Sequence, residues 1–138
     1  MIVFSRLGKK GNLGNQMFQI ASTIGIALKN NQEFSFPKWE YSKYFINKFP
    51  EIQKDENFKI VKEKSFKYNQ FRLDNGNYDI DGWLQSEKYF DIRNTKALFL
   101  FEEQFITGLL NNHKHLFNKK IKNPLDKKKF KRKINFIK

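Results

Sequence analysis

The period of the apolar positions changes repeatedly along the first part of the chain. Met1–Ser5 is a short apolar run of the kind a buried strand requires, and Gly8-Lys9-Lys10-Gly11-Asn12-Leu13-Gly14-Asn15 is a polar, glycine-rich loop. From Gln16 the spacing turns helical, with Met17, Ile20, Ala21, Ile24, Ala27 and Leu28 on one face. Lys29-Asn30-Asn31 supplies a basic, amide-rich stop, after which Glu33-Phe34-Ser35-Phe36 alternates as a second strand ended by Pro37. Strand, loop, helix and strand make the opening of a βαβ unit, which predicts a parallel pair joined by a right-handed crossover.

Downstream the signals are shorter. Tyr41–Phe49 carries aromatics at helical spacing, suited to a core or to the wall of a groove. Lys59–Glu63 reads as a short strand and Asn75-Gly76-Asn77 as a turn. Tyr78–Leu84 alternates as a strand that leads into a helix over Gln85–Phe90. Phe99-Leu100-Phe101 is apolar, and Glu102–Asn112 has a helical face of Phe105, Leu109 and Leu110. The fold class is α/β.

Composition supports a folded chain: 17% of residues are aromatic, sixteen of them Phe, enough to build a core. No run approaches the roughly 18–20 apolar residues of a membrane span, and no basic-then-apolar start marks a signal peptide. Zero cysteines exclude disulfides, thiolate nucleophiles and Cys-based zinc sites. These features lead us to expect a cytoplasmic protein, with peripheral association at the inner membrane compatible with them.

The net charge of +13 suggests nucleic-acid binding until it is located. Eleven basic residues and one acidic residue lie between His113 and Lys138, whereas residues 1–112 carry only +3. We therefore divide the chain into a near-neutral domain, 1–112, and a basic low-complexity tail, 113–138.

The loop before the first helix lies where α/β proteins hold phosphates, among backbone N–H groups and the positive end of the helix dipole. Gly11-x-x-Gly14 matches neither the dinucleotide fingerprint nor a P-loop. It serves equally as a tight turn that needs glycine for backbone reasons. Asp79-x-Asp81 resembles a metal–nucleotide pair, but its strand setting speaks against that use. His113 and His115 have no third ligand nearby in sequence and read as solvent-exposed, so no metal site is expected.

Gly11-Asn12-Leu13-Gly14-Asn15-Gln16-Met17-Phe18-Gln19-Ile20-Ala21 resembles the opening of the family 11 glycosyltransferases, the α-1,2-fucosyltransferases. A second block, Asp81-Gly82-Trp83-Leu84-Gln85-Ser86-Glu87-Lys88-Tyr89-Phe90, is similar to a second segment of that family. The resemblance covers roughly residues 1–112 and implies the N-terminal, Rossmann-like domain of a GT-B-type enzyme. The activity it implies is inverting, metal-independent transfer of L-fucose from GDP-fucose to the 2-hydroxyl of a terminal galactose, without a cofactor. It also implies a donor-facing cleft loop of Gly11, Gly14, Asn15 and Gln16, and a second cleft segment of Gln85, Ser86 and Glu87. Asn15 could equally cap the helix, and Ser86 and Glu87 could cap the following one while Tyr89 and Phe90 fill the core.

Asn12, Ile20 and Leu84 depart mildly from the family pattern, and Lys9-Lys10 lengthens its loop. The family's His-x-Arg-Arg-Gly-Asp motif, whose arginine faces the donor diphosphate, is absent, since arginine occurs only at positions 6, 72, 93 and 132. The general base is likewise unassigned. Lys, Asn, Ile and Phe make up nineteen of the twenty-six residues in the tail, the residues of A/T-rich codons. The expectation is an incomplete, inactive fragment with a frameshifted or disordered tail. The rival readings are a glycan-binding module without catalysis, or a tail that binds nucleic acid or an anionic surface through Lys127–Lys133, Phe130 and Phe136.

Overall fold

The computed structural model describes residues 1–53 and 57–112. Strands β1 (Ile2–Val3), β2 (Phe34–Ser35), β3 (Lys59–Lys62) and β4 (Tyr78–Asp81) form a four-stranded, all-parallel sheet in the order β2-β1-β4-β3. Ile2 and Val3 point to opposite faces of the sheet and both are fully buried, so both faces are covered, as a parallel sheet requires. Lysines at both ends of β3 blunt the exposed edge. The protein has an α/β fold consistent with a Rossmann-like domain.

Helix α1 (Leu13–Lys29) makes the β1-to-β2 crossover and begins before Gln16, the start expected from periodicity. Its buried surface is wider than the expected stripe. Ser22, Thr23 and Ile26 join Ile20, Ala21, Ile24 and Ala27 inside, while Leu28 is 65% exposed. The 84–90 segment also packs on the helix, where Ser22 Oγ donates to the Leu84 carbonyl at 2.8 Å. Gly25 lies so close to the Tyr89 carbonyl that an added Cβ would stand 2.0 Å from that oxygen.

The helix ends as its amides predicted. Asn31 takes the left-handed conformation, φ 52°, Gln32 N–H reaches the Ala27 carbonyl at 2.9 Å, and Asn31 N–H reaches that of Leu28 at 3.2 Å. This is the Schellman arrangement, which satisfies carbonyls the helix leaves open. The Asn30 side chain donates to the Ile26 and Phe71 carbonyls and accepts from Leu73 N–H, tying the segment before β4 to the helix end.

Two expected helices are absent. Tyr41–Phe49 forms only the 3-10 turn Glu40–Tyr44 and then extends. Ile46 N–H bonds the Leu100 carbonyl at 2.8 Å, and Glu102 N–H bonds that of Tyr44 at 2.8 Å. The backbone therefore pairs across the fold with 100–102, and the aromatic spacing serves a stack in which Phe45 lies between Trp39 (5.2 Å) and Phe101 (4.7 Å). Gln85–Phe90 forms only the 3-10 turn Glu87–Tyr89, because Leu84 before it is left-handed (φ 51°) and Phe90 after it is extended.

The chain then continues through α2 (Ile92–Thr95), a 3-10 turn (Lys96–Phe99) and α3 (Glu103–Asn112), the last as expected. No helix among the described residues is long and apolar enough to cross a membrane. The basic tail, with His113 and His115, lies outside the described residues.

Candidate functional site

The site forms where the chain leaves β1 and β4, which are neighbours in the sheet. Open parallel sheets gather ligands at this carboxyl edge, where diverging connections leave a crevice. There Ser5, Arg6 and Lys10 bond the β4 carboxylates Asp79 and Asp81, and Asn15 of α1 bonds Gln85.

Asp79, one of the two carboxylates on β4, accepts from Ser5 N–H at 3.0 Å and Ser5 Oγ at 2.5 Å. Arg6 lies 3.5 Å from both Asp79 and Asp81, and Lys10 Nζ bonds Asp81 at 2.8 Å. The Lys10 hydrogen bond, helped by the charges of Arg6, Lys10 and Lys62, holds the Asp81 carboxyl below the usual carboxylate range against partial burial. The Asp-x-Asp pair is thus a set of ion-pair partners that pins the loop. No group of three or more His, Cys, Asp or Glu side chains among the described residues is arranged to hold a metal.

The loop is held from below by the amides of α1. Gln16 is buried, donates to the Gly11 carbonyl at 3.0 Å, and accepts from Trp39 Nε1 at 2.8 Å. Three residues on, and so on the same helix face, Gln19 donates to the Lys10 carbonyl at 3.2 Å. Gln16 therefore shapes the loop from inside. Gly11 has φ +73°, and a Cβ there would lie 2.6 Å from Asn15 Cβ, so the turn admits only glycine.

Asn15 is not the helix cap. Asn12 holds that position, and Asn15, in the first turn, accepts from Asn12 N–H at 3.2 Å as the returning half of a capping box. Its other end is turned outward: Asn15 Nδ2 donates to Gln85 Oε1 at 3.1 Å. Gln85 Nε2 returns a bond to the Asn15 carbonyl at 3.3 Å and also bonds the Trp83 carbonyl. The two sequence blocks are thus joined directly, amide to amide, on an exposed surface. Gly14 lies beside this junction, is exposed, and has nothing within 4 Å of where a Cβ would stand. No acidic residue in the first turn offsets the positive end of the α1 dipole.

Of the remaining expected residues, Ser86 caps its 3-10 turn by accepting from Lys88 N–H at 3.3 Å, and Glu87 is exposed on that turn. Arg6, Lys10, Gln19, Trp39 and Glu63 escaped sequence reasoning. Glu63 accepts from Trp83 N–H at 2.9 Å, Leu84 N–H at 3.1 Å and Tyr89 Oη at 3.2 Å, and so fixes the left-handed turn. The only sequence signal for these was Gln19, a polar residue among the apolar positions of α1. The arrangement offers neutral amides, ammonium groups and a helix N-terminus to a polar or anionic ligand. The chain matches no known family model, curated protein or solved structure.

Proposed function

We propose that residues 1–112 are the N-terminal, Rossmann-like domain of a GT-B-type α-1,2-fucosyltransferase of glycosyltransferase family 11. In this reading the surface formed by Gly11, Gly14, Asn15 and Gln85 faces GDP-fucose and a galactose-terminated acceptor. The observation that carries it is the reciprocal Asn15–Gln85 pair, which brings both family-like blocks to one point at the carboxyl edge of the sheet. Asn15 and Gln85 can exchange their mutual bonds for sugar hydroxyls, since each amide both donates and accepts. Gln16 supports the loop beneath, and Ser86 and Glu87 border it.

These 138 residues contain no His-x-Arg-Arg-Gly-Asp motif to stabilise the departing diphosphate. The chain therefore binds ligands without transferring fucose. Amide NMR of the full chain, titrated with GDP-fucose and with lactose, tests this reading. Shifts should cluster at Gly11, Gly14, Asn15 and Gln85, with no fucosyl-lactose formed when both are present. Absence of shifts at this cluster overturns the assignment, and product formation overturns the claim of inactivity.

A further inference from the structure

Beside the Asn15–Gln85 junction, at the carboxyl ends of β3 and β4, lies a cleft of about 310 Å³ lined by Lys10, Lys62, Lys64, Phe66, Asp81 and Trp83. Its volume is at the lower end of the range for small-ligand sites. Trp83 is held in place by its backbone, whose N–H bonds Glu63 and whose carbonyl accepts from Gln85. Trp83 nevertheless remains 37% exposed, and Phe66 is 84% exposed. A part-exposed and a largely exposed aromatic residue beside a polar cleft offer a ligand a stacking surface.

The charges lining the cleft are unequally committed. Asp81 is engaged by Lys10 and Arg6, and Glu63 by two backbone amides and the Tyr89 hydroxyl. Lys62 and Lys64 have no carboxylate within ion-pair distance among the described residues. Lys10 Nζ lies 6.0 Å from the centre of the Trp83 ring. A flat ring that shares a cleft with two lysines outside any ion pair suits a ligand with an apolar face and a negative charge.

We infer that this cleft binds an acidic sugar, a hexuronic acid or comparably charged residue adjoining the galactose of the acceptor glycan, stacked on Trp83 with its carboxylate toward Lys62 and Lys64. That the ligand is a saccharide rests on the function proposed above, while its charge and its position on Trp83 come from the cleft alone.

Calorimetric titration of the full chain with methyl glucuronide, methyl glucoside and inorganic phosphate, at fixed ionic strength, tests the inference. The glucuronide should bind at least tenfold more tightly than the glucoside, and phosphate should bind more weakly than the glucuronide. Lys62→Ala/Lys64→Ala should remove most of the preference for the acid. Trp83→Ala should weaken both sugars, and Trp83→Phe should restore most of that loss; thermal melts establish that each variant is folded. Equal affinity for the two glycosides, an unchanged preference in the lysine variant, or phosphate binding as tightly as the glucuronide overturns the proposal. GDP-fucose binding at Gly14 and Asn15 is measured separately. Its loss with glucuronide binding retained counts against the family reading alone, and the converse against the cleft alone.

Discussion

Gly14 separates the needs of the fold from those of a ligand. It lies in α1, where glycine is less stable than alanine by about 0.5–1 kcal/mol, and no neighbouring atom would obstruct a Cβ there. Gly14→Ala should therefore raise the unfolding free energy in urea titration, by no more than the roughly 0.5–1 kcal/mol of a helix interior because Gly14 lies in the first turn. On the function proposed above, it should also weaken GDP-fucose binding, because the methyl group would project into the space the donor would take beside the helix N-terminus. Gly11 behaves oppositely, since its positive φ and its contact with Asn15 serve the turn itself. Both glycines were legible as a loop before a helix, yet their different roles were not. Backbone sign and the distance to Asn15 depend on where α1 begins, and periodicity misplaced that start.

At the scale of elements, α1 is the beam on which the site is built. Its amides hold the loop from beneath, and its middle packs against the 3-10 turn that follows Gln85. Gly25→Ala sets a methyl 2.0 Å from the Tyr89 carbonyl and 2.9 Å from Phe90 Cα, both backbone atoms that move only if the elements separate. Overpacking of this kind costs about 1–3 kcal/mol. A lower urea midpoint, with amide shifts spreading to Gln85, is the expected result. The helix, its amide-rich end and the short strands could be read from spacing because each is a local pattern. The missing helices at Tyr41–Phe49 and Gln85–Phe90 could not. Their backbones are committed to distant partners, Leu100–Glu102 in one case and Glu63 through Trp83 and Leu84 in the other.

For the molecule as a whole, two ionisable side chains tie strand ends to loops and should make stability depend on pH at the two extremes. Burial, with the Glu63 carboxylate beside it, pushes the Tyr89 hydroxyl from its ordinary 10.0 up to about 12. The folded state holds that proton more tightly, so its contribution is complete below pH 10.0 and is lost as the pH rises toward about 12. Asp81 is the reverse case. Its folded value is below 3.8, so its contribution is complete well above that pH and is lost as the pH falls through the folded value. Thermal melts across pH should show both limbs, with Tyr89→Phe flattening the alkaline one and Asp81→Asn the acid one. Unchanged limbs would show that these residues do not set them. By itself the sequence determined the α/β class, the βαβ opening and the concentration of charge after residue 112, because all are set by local order and spacing. Only the tertiary structure decided that Asn15 bonds Gln85, that Asp79 and Asp81 are ion-pair partners of Arg6 and Lys10, and that Trp83 stands in a basic cleft. The first two join residues about seventy positions apart and exist only once the parallel sheet has placed β1 beside β4, and the cleft exists only once β3 has paired with β4.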